Sequence, residues 1–293
     1  MMPKYSLELN IPLDTLENIS KKAEELKYHG IFLVDSSKNF SNDLWNNLHF
    51  ISSLTKNIKF GHAMTFFISN DPIKFSESIS NIDKHSRGRF ELRLGLGGNT
   101  LKNEMQDLGL EFPSYNKRVQ ILDENLQILI NTLQKNSELF QKPHPSITIS
   151  GKSQNVIQLA LKYANIWEVG GFYCENYSNA LQSFNDESIH FSNTKPIEKS
   201  IEIFVCIDRE NIYSKNTLEK KLDEKHDSIK NKWILSCGGA ENVLSDFQNY
   251  IDLGVDRFTI YFLNYTSKSS QTSSFLLDQM EIFSDIIVPN LSK

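Results

Sequence analysis

Short apolar runs alternate with amphipathic stretches along almost the whole chain, and this alternation limits the fold more than any other feature. Ile31–Val34 (Ile-Phe-Leu-Val) is four residues long and wholly apolar. Such a run suits a parallel strand covered on both faces. Before it, Leu13–His29 places Leu16, Ile19, Ala23 and Leu26 on one helical face. Asp14 reads as its N-cap and Gly30 as its end. The same pairing recurs. Strands are expected at Tyr5–Asn10, Ile58–Thr65, Phe90–Leu96, Ser146–Ser150, Ile166–Val169, Ile201–Ile207 and Arg257–Leu263. Helices are expected at Asn42–Thr55, Ile73–His85, Ser114–Leu133, Gln154–Ala164, Tyr177–Phe184, Thr217–Trp233, Glu241–Leu253 and Phe275–Val288. Eight strands alternating with helices give an α/β chain, read as one (β/α)8 barrel over residues 1–293. A doubly wound open sheet is the alternative. The length of 293 residues suits a barrel, which typically needs about 250.

Charge and cysteine usage narrow the function classes. A net charge of −5 argues against nucleic acid as the main partner. No apolar run approaches the roughly 20 residues of a membrane span, so no membrane role is expected. Cys174, Cys206 and Cys237 are widely spaced with no CxxC, which reads as free thiols in a cytoplasmic protein. No metal site is expected. The expected partner is a small-molecule substrate.

The segment Ile82–Asn99 combines a helix tail, a Ser86-Arg87-Gly88-Arg89 turn and a strand ending in Gly95-Leu96-Gly97-Gly98-Asn99. Missing side chains at a strand's C-terminal end let a ligand approach the backbone. The glycine spacing is not that of a dinucleotide fingerprint. Two turns read as anion sites at helix starts: Ser150-Gly151-Lys152-Ser153 and Cys237-Gly238-Gly239-Ala240. Either could hold a phosphate; either could equally be an ordinary helix start. Glu8 lies between Leu7 and Leu9 in the first strand, so its phase opposes the leucines and points inward. A buried carboxylate is costly unless paired or bound. It reads as a proton-relay or substrate-orienting group, or as half of an ion pair in the barrel floor. Asp35 ends the second strand on the face where barrel enzymes keep their chemistry, with helix capping as the structural alternative.

The order of these motifs resembles the bacterial luciferase-like superfamily of flavin- and deazaflavin-dependent barrels. The residues that carry the likeness are Asn57–Thr65, Ser86–Phe90, Leu94–Gly98, Ile149–Ser153, Leu159–Trp167, Gly238–Asn242 and Gly254–Asp256. Within it, Lys4–Leu9 and Asn99–Gly109 are most similar to the methylene-tetrahydromethanopterin reductases. The resemblance implies coenzyme F-420 across the C-terminal mouth and hydride transfer to a pterin-like or other electrophilic substrate. It implies an acidic residue facing the coenzyme, here Glu8. It implies a non-prolyl cis peptide near Ala63-Met64, with His62, Ala63, Met64 and Thr65 beside the ring. Gly97, Gly98 and Asn99 would give clearance, and Ser150, Gly151, Lys152, Ser153, Gly238 and Gly239 would serve the phosphate. It also implies a homodimer.

The chain departs from the pattern in places. Ser36 stands where relatives have histidine after Asp35, Asn165-Ile166 replaces Asp-Gly before Trp167, and Asn131–Ser146 is short. Trp167 therefore reads as core. Asp83, Arg87, Gly88 and Arg89 lie at the barrel's bottom, Gly88 with positive φ and the arginines in structural or dimer contacts. Two alternatives stand beside the F-420 reading: an FMN-dependent monooxygenase with a flavin reductase partner, and a non-catalytic flavin- or protein-binding barrel.

Overall fold

The computed structural model describes residues 2–34, 44–67, 71–170, 177–191, 196–207, 234–263 and 273–292. Its strands are β1 (Lys4–Leu9), β2 (Gly30–Leu33), β3 (Lys59–His62), β4 (Glu91–Leu94), β5 (Ser146–Ser150), β6 (Ile166–Val169), β7 (Glu198–Ile207), β8 (Leu235–Gly238) and β9 (Arg257–Phe262). Between them run α1 (Leu13–Glu25), α2 (Leu44–Leu54), α3 (Pro72–Ser86), α4 (Asn99–Asp107), α5 (Tyr115–Lys135), α6 (Gln154–Tyr163) and α7 (Tyr177–Ser188). The last two helices are α8 (Ala240–Asp252) and α9 (Ser273–Ile282). The expected helix Thr217–Trp233 lies outside the described residues.

All strand pairs are parallel, in the order β3-β2-β1-β9-β7-β6-β5-β4. Isolated bridges Phe60–Phe90 and Thr65–Leu94 join β3 to β4 and close the ring. The result is a (β/α)8 barrel, and the open-sheet alternative falls. The eight expected strands are the eight of the ring. β8 stands outside it, paired only with the C-terminal half of β7 from Phe204–Leu235 to Ile207–Gly238. The sequence reads as a turn there, because four residues ending in glycine carry too little period-2 signal for a strand.

Side chains alternate between two environments. Outward residues such as Leu7, Ile31, Phe60, Leu92, Ile149, Ile201 and Ile260 are buried under the helices. Trp167 is among them, stacked on Phe184 of α7 at 4.4 Å, with its indole N–H donating to Gly151 O. It is core, as its context implied. Tyr5, Phe247, Phe258 and Phe283 form an aromatic knot between the barrel and the closing helices.

Local chemistry sets the element ends. α3 starts at Asp71, whose carboxylate accepts from Ile73 N, with Pro72 in the first turn. It stops where Arg87 and Gly88 take positive φ of 55° and 82°. Asp83 accepts from Phe140 N and Gln141 N, while Arg89 donates to Ser52 O, Ile58 O and Ser86 O. These groups pin loops at the bottom, as read. α1 begins at Leu13 as expected but differs in its cap and in its end. Pro12, not Asp14, is its N-cap, and it stops at Leu26 with Lys27 in the left-handed region. Gly30 instead opens β2, where a Cβ would lie 3.2 Å from Ser6 Oγ and 3.3 Å from Lys59 O.

Candidate active site

Helix-facing strand positions are apolar, but the barrel interior is not. Barrel interiors usually hold layers of Val, Ile and Leu. Here the register puts Lys4, Ser6 and Glu8 of β1 inward, with Glu91 and Arg93 of β4, and Ser146, Thr148 and Ser150 of β5. Glu168 of β6 joins them, with Glu198, Ser200 and Glu202 of β7 and Arg257 and Thr259 of β9. The charges fall into three levels.

At the floor, Lys4 pairs with Glu198, which also accepts from Arg257 Nη1 at 3.2 Å. Arg257 Nη2 donates to Glu91 Oε2 at 2.7 Å, and His29 Nε2 lies 3.5 Å from Glu91 Oε1. Burial alone would raise the Glu91 pKa. The Arg257 guanidinium and His29 outweigh it and hold the carboxyl at about 2. Lys59 is pinned by donating to Gly88 O at 2.8 Å.

In the middle, Arg93 and Glu168 form an ion pair, each only 1% exposed. Ser200 Oγ and Thr259 Oγ1 both donate to Glu168 Oε2 at 2.8 Å. Arg93 also lies over the Phe32 ring, 4.3 Å from its centroid. Its Nη1 has no hydrogen-bond partner among the described residues.

At the mouth stand Glu8 and Glu202, each 8% exposed. Glu8 is therefore not part of the floor pairing. Its pKa is pushed well up, first by burial, then by the Glu202 and Glu168 carboxylates against the opposing pull of Arg93. Glu202 Oε2 lies over Gly170, 3.2 Å from where a Cβ would stand, with Ser150 Oγ 3.8 Å from the same point.

Around the rim lie the turns read as ligand-holding. Gly97 has φ +74°, and a Cβ there would meet Leu101 at 2.5 Å. Gly98 is the N-cap of α4, which Asn99 begins. Gly151 has φ +146°, and a Cβ on it would lie only 2.9 Å from Val156. Ser153 starts α6 without capping it, because its hydroxyl is bonded to Tyr115 OH at 2.6 Å. Lys152 is exposed beside it. Gly238 ends β8 with φ +116°, and Gly239 starts α8, also without a side-chain cap. Two helix starts, at Ser153 and Gly239, thus lie on the C-terminal side of the barrel without a side-chain cap.

Other expected site residues lie elsewhere. His62 points outward, edge-on to Trp45 at 5.0 Å, and its Nδ1 is 3.0 Å from Thr65 Oγ1. Burial lowers its pKa to about 4. The inward residues of β3 are Lys59 and Gly61, so His62 has the wrong phase to line the interior, and it holds the Thr65 side chain with it. Ala63 and Met64 are half-buried past the strand end, with Met64 against Gly95. Their peptide is not cis; Lys142-Pro143 is the cis bond among the described residues. Ala63 N–H donates to Leu33 O and Thr65 N–H to Arg93 O, so the strand spans to β4 without a non-prolyl cis bond, which would cost about 3–4 kcal/mol. Asp35 lies outside the described residues. Arg93, Glu168 and Glu202 are site residues that the sequence reading does not single out. Their signal was available: each is a polar residue at alternate positions in a strand that should be buried on both faces.

Ionisable groups converge under the C-terminal mouth of a closed parallel barrel, the face on which barrel enzymes carry their chemistry. The model of the luciferase-like monooxygenase family matches residues 3–256, and the chain belongs to that family. Solved structures similar to it include the coenzyme F-420-dependent tetrahydromethanopterin reductase of Methanopyrus kandleri, at 12% identity and TM-score 0.76 over all of both chains. An F-420-dependent secondary alcohol dehydrogenase, solved with an F-420-acetone adduct, matches at 16% and 0.78 over all of both chains. A monooxygenase from Streptomyces bottropensis matches at 13% and 0.79, over 98% of this chain and 99% of that one. Members of the family are mostly F-420- or flavin-dependent oxidoreductases and monooxygenases. No helix among the described residues is long and apolar enough to cross a membrane.

Proposed function

We propose that this chain is an F-420-dependent oxidoreductase acting on a pterin-like or other electrophilic substrate. The observation that carries the reading is Glu8: a carboxyl at the barrel mouth whose burial and neighbouring carboxylates push its pKa well above the ordinary carboxylate range and so favour its protonated form. Such a group can give a proton to the substrate atom that gains charge as an adjacent carbon is reduced. The deazaflavin, when bound, supplies the hydride. The chain fits such a group. The uncapped start of α6, with Gly151, Lys152 and Ser153, would hold a phosphate, and the start of α8 at Gly238 and Gly239 would be the second anchor. Bare backbone at Gly98, where α4 starts, would let the coenzyme lie close, while Gly97 makes room for Leu101. The Arg93–Glu168 pair would sit beneath and keep the interior rigid.

The test is a pair of titrations of the purified protein, with F-420 and with FMN, followed by fluorescence. Micromolar or tighter binding of F-420, with much weaker FMN, is expected. Tight FMN with no F-420 would turn the reading to a monooxygenase that needs a flavin reductase. Binding of neither would leave a non-catalytic barrel.

A further inference from the structure

A cavity of about 310 Å³ opens at the bottom of the barrel, at the opposite end from Glu8. Its wall is built from the start of β1, the end of α1 and the π-helical turn Phe283–Ile287 that continues α9. Such turns are frequent at functional sites. Tyr5, Tyr28 and Phe283 line it, with Tyr5 edge-on to Phe283 at 5.4 Å and Tyr28 stacked on Phe283 at 6.4 Å. Tyr28 Oη is committed, donating to Met280 O at 3.0 Å. Tyr5 Oη is not: the residue is only 8% exposed, and its hydroxyl has no hydrogen-bond partner among the described residues. Phe258, stacked on the Tyr5 ring at 5.6 Å, and Phe283 hold that ring in place, so it does not swing toward another partner. Burial raises the Tyr5 pKa, which keeps the group a neutral hydroxyl. A buried, unbonded hydroxyl on a cavity wall is a hydrogen bond that a ligand can complete.

The charges around this cavity select the ligand. Glu25, Lys27 and Asp285 line it and are exposed, so they mark its outer edge. Glu25 is drawn to Lys22 at 3.2 Å, whereas Asp285 has no ion-pair partner among the described residues. The end of α1 adds to the negative side. Ser284 Oγ donates to Leu26 O at 3.0 Å, which sets the carbonyl end of that helix, its negative pole, against the turn. Lys27 alone opposes these groups. We propose that this cavity binds a small amphipathic amine, with its ammonium group at the outer edge beside Asp285 and a neutral hydroxyl at its inner end bonded to Tyr5 Oη. The apolar body between them lies against Tyr28 and Phe283. The volume is at the lower end for ligand cavities, which suits a molecule with a single ring. The site is independent of the coenzyme reading, because none of its residues lies at the barrel mouth.

The experiment is calorimetric titration of the full chain with three probes: tyramine, 2-phenylethylamine, which lacks the hydroxyl, and 3-(4-hydroxyphenyl)propionate, which carries a carboxylate in place of the ammonium. Tyramine should bind saturably. Phenylethylamine should bind about three- to tenfold more weakly, the worth of one hydrogen bond, and the carboxylate more weakly still. Y5F, which removes only an unbonded hydroxyl and so keeps the fold, should bring tyramine down to the level of phenylethylamine. D285N should weaken both amines by about two- to fivefold, with a smaller dependence on salt. V288F should fill the cavity and abolish binding; if it fails to fold, Y5F and D285N decide alone. E8Q, at the other end of the barrel, should bind tyramine as wild type does. Absence of saturable tyramine binding would overturn the proposal, as would a Y5F variant that keeps the preference for tyramine. Equal binding of the carboxylate would overturn the choice of an amine. Loss of binding in E8Q with none in Y5F would place the amine at the acidic mouth and also overturn it. Failure of F-420 to bind would remove the hydride-transfer reading and leave this site standing.

Discussion

Keeping Glu8 under the barrel mouth costs the folded chain stability. Its pKa is raised on folding, so the native state binds its proton more tightly than the unfolded chain does. The resulting stability is complete below the ordinary carboxylate range and falls as pH rises toward the folded value. E8Q removes that penalty. We expect E8Q to melt about 2–4 °C higher than wild type at pH 8, with the gap closing toward pH 4, by calorimetry. The same variant should bind coenzyme normally and lose about 10²–10⁴ in turnover. R93M should be harsher, destabilising by about 3–5 kcal/mol in denaturant melts because it strands Glu168 as an unpaired buried charge. The double change R93M with E168M should cost markedly less. Glu8 was legible because Tyr-Ser-Leu-Glu-Leu alternates plainly. Arg93 and Glu168 alternate just as plainly within Glu91–Leu94 and Ile166–Val169, but there the apolar partners dominate the pattern. His62 differs from expectation by one residue of phase, since a glycine-flanked strand such as Phe60-Gly61-His62 gives no alternation to fix the register.

The strands with strong chemistry at both ends, β5 and β6, have the bounds read from the sequence, Ser146–Ser150 and Ile166–Val169. Each is apolar on its outward side and closed by a turn or helix start. Helix ends were less legible because tertiary contacts set them: α1 stops at a lysine with positive φ, and Gly30 is demanded by Ser6 and the Lys59 carbonyl across the sheet. β8 escapes a sequence reading because its partner, the end of β7, defines it. The β5–α6 turn makes a sharp prediction. Gly151 combines φ +146° with Val156 at 2.9 Å from any added methyl. G151A should destabilise by about 1–3 kcal/mol and weaken binding at the α6 start. G239A, where a methyl meets nothing within 4 Å, should be tolerated. Parallel denaturant melts of the two variants decide this.

Across the whole molecule, the eight-strand count and the barrel were legible, because alternation of strand and helix is a property of the chain's full length. The charged interior was not, because it exists only once strands distant in sequence face one another. It sets the acid limit of the fold. Glu91 is held at about 2 when folded, so its contribution is present above the ordinary carboxylate range and is lost as pH falls toward 2. E91Q should flatten the pH dependence of unfolding in that window, measured by circular dichroism. The floor and middle pairs also have a consequence for synthesis. Lys4 meets Glu198, Arg93 meets Glu168, and Glu91 waits for Arg257, each partner lying beyond residue 146. A nascent chain that has emerged only through β4 would have to bury these charges without their partners to settle into half a barrel, which costs several kcal/mol for each ion. We therefore expect the fold to form only once the late strands are present, with Arg257, in the last strand of the ring, among the final groups to lock it.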